Sequence, residues 1–285
     1  MKKSKFLIIG GDLRQSYCAS FLRDSGHEVS CFLVPGYHTP TISIDVLKKY
    51  ISNAKYILCP IPFSRDKINI STYGEYADTK LSAELLLSLI NEKQTLISGA
   101  IHRDAADILT KRDIPYYDLM TFNSFKEANS RLTAEGLIKD IIEICPFSIP
   151  ESNILLTGYG SCGKYIASVL SLLGAHITIY NRNKSYDCMA KMSGFTTMTS
   201  LPPNDELKKF NLIINTIPSV IFTPAHLEHI HPKACLLDIA GSPGGFQTDI
   251  VKKNNFTFRV CPGIPGKTSP MTAARIICHI INEEI

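Results

Sequence analysis

Short apolar runs that end in glycine, proline or asparagine and lead into a helical repeat recur along the whole chain. In the first part they predict strands at 5–10, 28–34, 55–59, 95–98 and 114–117. Helices are expected between them at 12–25, 44–52, 79–91 and 104–111, the first with Leu13, Tyr17, Phe21 and Leu22 along one face. Such alternation implies a parallel sheet covered on both faces, with ligands at the carboxyl ends of its strands. A long helical pattern over 124–145, apolar at Leu132, Leu137, Ile138, Ile141 and Ile142, then stops at Pro146 and Pro150. Beyond it, strands are expected from Ile154 and at 176–180, 211–215, 234–238 and 256–261. Helices are expected after Gly163, near 186–193, briefly after Pro202-Pro203-Asn204-Asp205-Glu206, and at 271–281.

The expected class is therefore α/β with two doubly wound parallel-sheet domains, the first flavodoxin-like and the second a Rossmann NAD(P)-binding domain. The boundaries read as 1–128 for a substrate domain, 129–150 for a linking helix and junction, and 151–267 for the nucleotide domain. Residues 268–285 form a final helix whose apolar Ile276, Ile277 and Ile280 need cover, which the first domain would supply.

One turn carries the strongest chemical signal. Ile154-Leu155-Leu156-Thr157 runs into Gly158-Tyr159-Gly160-Ser161-Cys162-Gly163 and then a helix. A dinucleotide needs the first glycine for the turn, the second to admit a pyrophosphate against bare backbone, and the third for close helix packing. The amides opening the helix would face the phosphates. After the next strand an NAD site usually has an acid for the ribose hydroxyls, whereas this chain has Asn181-Arg182-Asn183-Lys184. That favours NADP, with the alternative that these are ordinary solvated cations.

Composition narrows the classes without choosing among them. The 285 residues are 45% hydrophobic and 20% charged with a net charge of +4, which suits globular domains and gives no basic tract for nucleic acid. No apolar run reaches membrane-spanning length. The nine cysteines are scattered without a Cys-x-x-Cys pair, as expected of reduced thiols in a cytoplasmic protein. Lys2 and Lys3 before Phe6-Leu7-Ile8-Ile9 imitate a signal peptide, but the run ends at once in Gly10-Gly11-Asp12.

Other candidates lie at strand ends. Gly10-Gly11-Asp12-Leu13-Arg14-Gln15 lacks a third glycine but offers a helix N-terminus with Arg14, suited to a small carboxylate. His102 and Arg103 follow another strand end. Asn215-Thr216-Ile217-Pro218, Asp238-Ile239-Ala240 and Pro262-Gly263-Ile264-Pro265-Gly266-Lys267 end three strands of the second domain, where Asn215, Thr216, Pro218, Ala240, Gly263 and Pro265 would border a nicotinamide. Asp12 and Glu135 are the candidate bases, with a plain helix-surface role as the alternative for Glu135. His226, His229 and His231 suggest metal spacing, which Pro232 and their distance from the carboxyl ends argue against.

Taken in order, Gly10-Gly11-Asp12-x-Arg14-Gln15, Asn123-Ser124 with Ala134-Glu135-Gly136, the Gly158–Gly163 turn, Asn215–Ser219, Asp238-x-Ala240 with Pro243-Gly244-Gly245, and Pro262–Gly266 resemble the A subunits of dipicolinate synthase over nearly the whole chain. The resemblance implies an NADP-dependent oxidation of dihydrodipicolinate to dipicolinate in a sporulating bacterium, within the mother-cell cytoplasm, and, as partner, a flavoprotein-like B subunit. It leaves a homo-oligomer open. With that substrate, Gly11, Asp12 and Arg14 would hold one carboxylate, and His102, Arg103 or Lys267 the other. Two alternatives stay open: a reductase of another small carboxylated substrate, and a non-catalytic NADP-binding partner of the B subunit.

Overall fold

The structure is a computed structural model that describes residues 3–39, 42–201 and 204–285; Lys2, Pro202 and Pro203, named above, lie outside them. The chain forms two compact units, Met1–Ala128 with Pro265–Ile285, and Asn129–Ile264.

The first unit runs β1 (Lys5–Ile9), α1 (Leu13–Asp24), β2 (Glu28–Phe32), α2 (Ile44–Asn53), β3 (Tyr56–Leu58), α3 (Ala83–Leu89), β4 (Thr95–Ser98), α4 (Arg103–Lys111) and β5 (Tyr116–Asp118). Its sheet is parallel throughout in the order β2-β1-β3-β4-β5, the flavodoxin-like order. Strand residues alternate between two cores: Leu7 and Ile9 pack on one face with Leu47, Leu86 and Leu109. Phe6 and Ile8 pack on the other with Cys18, Leu22, Ala274 and Ile277. Strands buried on both sides must be apolar throughout, which is why they read as uninterrupted runs.

A long helix, α5 (Asn123–Ile144), begins in the first unit and continues into the second. The second unit then holds β6 (Asn153–Thr157), α6 (Ser161–Leu172), β7 (His176–Tyr180), α7 (Lys184–Met192), β8 (Thr196–Met198), β9 (Leu212–Asn215), α8 (Pro224–Leu227), β10 (Cys235–Asp238), α9 (Thr248–Lys253) and β11 (Thr257–Val260). The strand order β11-β10-β9-β6-β7-β8 is parallel and reverses direction of growth between β6 and β9, the Rossmann order. Two last helices, α10 (Ile264–Thr268) and α11 (Pro270–Glu284), follow, and α11 lies on α1 in the first unit's core. The expected fold class is borne out in both sheets.

Several elements differ from expectation. The helix expected over 79–91 is only α3, because Ser82 caps it by accepting from the Leu85 amide, and residues before it form an ordered loop. That loop is pinned by bridges between Ser64 and Ile70, Asn69 and Ser82, and Gly11 and Thr72. Within it the backbone amides of Asn69 and Ile68 and the Asn69 side chain donate to Asp66 and hold its carboxyl far below the usual carboxylate range. The edge strand β8, helix α9 and helix α10 had no expectation.

His27 generates a pH test. It is 6% exposed, its Nδ1 accepts from the Ser4 amide at 3.2 Å, and its Nε2 has no partner among the described residues. Burial pushes its pKa below the ordinary 6.5. The unfolded chain then takes up a proton that the folded one refuses, so the stability present above the ordinary value is lost as pH falls toward the folded pKa. Thermal unfolding from pH 7 to 5 should show a falling midpoint in the native chain and a shallower slope in His27→Gln; equal slopes would contradict this.

Candidate functional site

At the switch point of the second sheet each glycine of the turn has its own steric reason. Gly158, at φ +92°, donates its N–H to Tyr180 at 2.8 Å, and a Cβ there would stand 2.3 Å from Thr216 Oγ1. Thr216 is itself held by donating to the Thr157 carbonyl at 2.7 Å. A Cβ on Gly163 would stand 2.3 Å from the Gly158 carbonyl oxygen, so α6 seats directly on the turn. Gly160 is the opposite case: nothing lies within 4 Å of its missing side chain, and it caps α6 without a side-chain bond. The amides of Ser161, Cys162 and Gly163 therefore open α6 without a side-chain cap beside the open space at Gly160, the arrangement that receives phosphate oxygens. The Cys162 thiol lies 3.3 Å from Ser130 Oγ, and burial raises its pKa.

At the end of β7, Asn181 is buried and accepts from the Asn183 amide at 2.9 Å, while Asn183 caps α7 through Ser185 and Tyr186. Arg182 between them is exposed and has no ion pair or hydrogen bond among the described residues. Asp187, the next acid along, is tied to Lys191 at 2.8 Å. Among the described residues the strand tip thus presents an unpaired guanidinium, with the nearest acid turned to Lys191 through Oδ2, which fits a ribose 2′-phosphate.

The ends of β6, β9 and β10 are joined by a buried chain of hydrogen bonds. Thr157 Oγ1 donates to Asn215 Oδ1 at 2.7 Å, Asn215 Nδ2 donates to Asp238 Oδ1 at 2.8 Å, and the Gly245 amide donates to Asp238 Oδ2 at 2.7 Å. Asn215 also bonds both the amide and the carbonyl of Ile217, and Asp238 accepts from Ala240. Side chains on the loop would collide: a Cβ on Gly245 would stand 2.4 Å from Asn215, and one on Gly244 2.5 Å from Asp238. Asn215 therefore shapes residues 216–218 and has no bonding capacity left for a ligand. Of the remaining candidates, Ala240 and Gly263 are half-buried, Pro265 is buried, Pro218 is exposed, and Glu135 is exposed on α5 with no hydrogen bond or ion pair among the described residues.

In the first unit the geometry departs from the sequence-based expectation. The Gly11 amide donates to the Ser71 carbonyl at 2.8 Å and the Asp12 amide to Gln15 Oε1 at 3.0 Å. Both amides assigned above to a carboxylate are thus already partnered. Arg14 is 3% exposed; its Nε and Nη2 each meet an Asp12 oxygen at 2.9 Å, and Nη2 also donates to the Ile61 carbonyl at 2.6 Å. The pair leaves no room beside it: a Cβ on Gly266 would stand 2.2 Å from Asp12 Oδ2. Asp12 as a base would first have to leave Arg14.

His102 caps α4 by accepting the Ala105 amide on Nδ1 at 3.3 Å, which puts the neutral ring's proton on Nε2, and that Nε2 is buried without a partner among the described residues. Arg103 turns outward, its side chain 93% exposed and 3.9 Å from Asp107. Lys267 is exposed. Sequence reasoning passed over Ser71, Tyr73 and Arg65 in the loop before α3, which borders this edge. It also passed over the reciprocal cap in Asp12-x-x-Gln15, whose spacing was the available signal.

Fold and turn together define the class, a two-domain α/β protein of dehydrogenase-like build: D-lactate dehydrogenase from Escherichia coli superposes with a TM-score of 0.61 at 9% identity, covering 98% of this chain and 96% of that one. Within that class the resemblance to the A subunits of dipicolinate synthase is borne out. Residues 5–120 match the model of the N-terminal domain of the dipicolinate synthase A subunit. The dipicolinate synthase A subunit of Bacillus subtilis is 29% identical over 155 residues, 54% of this chain and 52% of the relative, so the match spans about half the length of that relative. The crystal structure of the dipicolinate synthase A subunit from Bacillus halodurans has a TM-score of 0.82 at 23% identity, over 98% of this chain and 97% of that one.

The turn is open to a direct test. Gly163→Ala forces its new methyl onto the Gly158 carbonyl, so the chain should stay folded while its affinity for NADP falls at least roughly tenfold. Calorimetric titration checks this, and unchanged affinity would contradict the assignment.

Proposed function

We propose that the protein is an NADP-dependent dehydrogenase that oxidises dihydrodipicolinate to dipicolinate, as the A subunit of a two-subunit enzyme. The observation that carries it is the turn in which Gly158 and Gly163 admit no side chain while Gly160 faces empty space above uncapped amides. The relatives' names and the motif order supply the substrate class.

Bound there, the nicotinamide would accept a hydride, and the ring that loses it becomes aromatic. The amides of Ser161, Cys162 and Gly163 would hold the pyrophosphate, with Arg182 and Asn183 at the 2′-phosphate. Thr216 and Pro218, held in shape by Asn215, would border the nicotinamide end together with Ala240, Gly263 and Pro265. The chain's own contribution is then mostly positioning, which can supply several kcal/mol. For the proton released, Glu135 is the freer base, since both Asp12 oxygens are bonded to Arg14. His102, through Nε2, and Lys267 are the donors for a substrate carboxylate.

That same Asp12–Arg14 pairing favours one second reading, in which the chain binds NADP and the B subunit supplies the chemistry. Mixing the chain, with and without the B subunit, with dihydrodipicolinate and NADP, and following absorbance of the reduced cofactor, separates the two. Turnover by this chain alone is the expected result; turnover that appears only when the B subunit is added would overturn the first reading and favour the second. Arg182→Ala should weaken NADP roughly ten- to a hundredfold and leave NAD unaffected, and equal losses for both would remove Arg182 from the 2′-phosphate.

A further inference from the structure

The loop between β3 and α3 returns its residues to the switch point of the first sheet, where β1 has neighbours on both sides. Two polar groups there are buried and have no partner among the described residues, Gln15 Nε2 and Ser71 Oγ, on residues 0% and 9% exposed. Both border Gly11. The Gln15 amide carbon lies 2.3 Å from where a Gly11 Cβ would stand, and the Ser71 carbonyl accepts the Gly11 N–H.

Buried donors nearly always find an acceptor, and one left alone is destabilising. Gln15 cannot turn its oxygen inward, because Oε1 already accepts from the Asp12 amide. The unmet demand is therefore for an acceptor. Arg14 beside it is neutralised by Asp12, so the charge for an anion must come from elsewhere. Arg65 is exposed, has no ion pair among the described residues, and sits with its guanidinium 5.5 Å from the Tyr73 ring centroid. Tyr73 is half-buried and close enough to feel both Asp12 and Arg14: burial raises its pKa, with Arg65 opposing and Asp12 adding.

We infer that this edge is a carboxylate subsite, in which Ser71 and Gln15 donate to one carboxylate of a small cyclic dicarboxylate, Arg65 supplies the charge, and Tyr73 positions Arg65. The inference rests on the dehydrogenase reading for its substrate and replaces the Gly11 and Asp12 amides with three side chains.

Calorimetry on the full chain tests it, with dipicolinate and benzene-1,3-dicarboxylate as probes and NADP as the control ligand. Arg65→Met should weaken dipicolinate roughly ten- to a hundredfold and Ser71→Ala about fivefold, while NADP affinity stays unchanged. Tyr73→Leu, which removes the ring face under the guanidinium, should weaken dipicolinate alone but add nothing in the Arg65→Met background, whereas a merely structural Tyr73 would add its loss to that of Arg65→Met. Dipicolinate binding indifferent to both Arg65→Met and Ser71→Ala would overturn the subsite and leave the dehydrogenase reading standing. Binding of benzene-1,3-dicarboxylate alone, with the same dependence on Arg65, would uphold the subsite and remove dipicolinate as the ligand. Binding of neither dicarboxylate by the native chain would overturn both.

Discussion

Asn215 is wholly buried, and every polar atom of its side chain is bonded. Through it the tips of β6, β9 and β10 are one hydrogen-bonded unit, from Thr157 to Asp238 and on to Gly245. Such a network is favourable only when complete, because an unpartnered polar atom at that depth costs about 1–3 kcal/mol. The constraint sets the rest of the edge: Gly244 and Gly245 must be bare to fit against Asp238 and Asn215, and Thr216 must stand where it closes on Gly158. A rigid, side-chain-free cradle at the switch point follows from the packing of groups that never touch a ligand.

The first unit uses the same device with different residues. Asp12 caps α1, grips Arg14 with both oxygens and has its own amide held by Gln15. Gly266 is bare because a side chain would strike that pair. In each unit, polar side chains at the carboxyl edge are consumed in shaping backbone, and the groups left unbonded among the described residues are their neighbours. Arg182 beside Asn181 and Asn183 is one case, and Ser71 beside Gly11 is another.

Much of this was legible in the sequence. Strands covered on both faces admit only apolar residues, so Ile154–Leu156 and Leu212–Ile214 announced themselves, and the glycine turn between strand and helix marked the switch point of the second sheet. What was hidden depends on contacts distant in the chain. Strand β8 is three residues at an edge, two of them threonine, and carries no apolar run. The loop before α3 owes its order to Asp66 and to bridges reaching Gly11 and Ser82. The motif residues Gly266 and Gly245 are steric partners of Asp12 and Asn215, which are distant in the chain. Arg14 read as a carboxylate ligand at a helix N-terminus, and the Asp12 pair buries it.

The central claim is that the uncapped amides of α6 and the tip of β7 receive a phosphorylated nicotinamide dinucleotide. Backbone hydrogen exchange of the full chain with and without saturating NADP measures this directly. Exchange should slow at Ser161–Gly163 and at Arg182–Lys184; saturation of the protein with no protection at those amides would contradict the account.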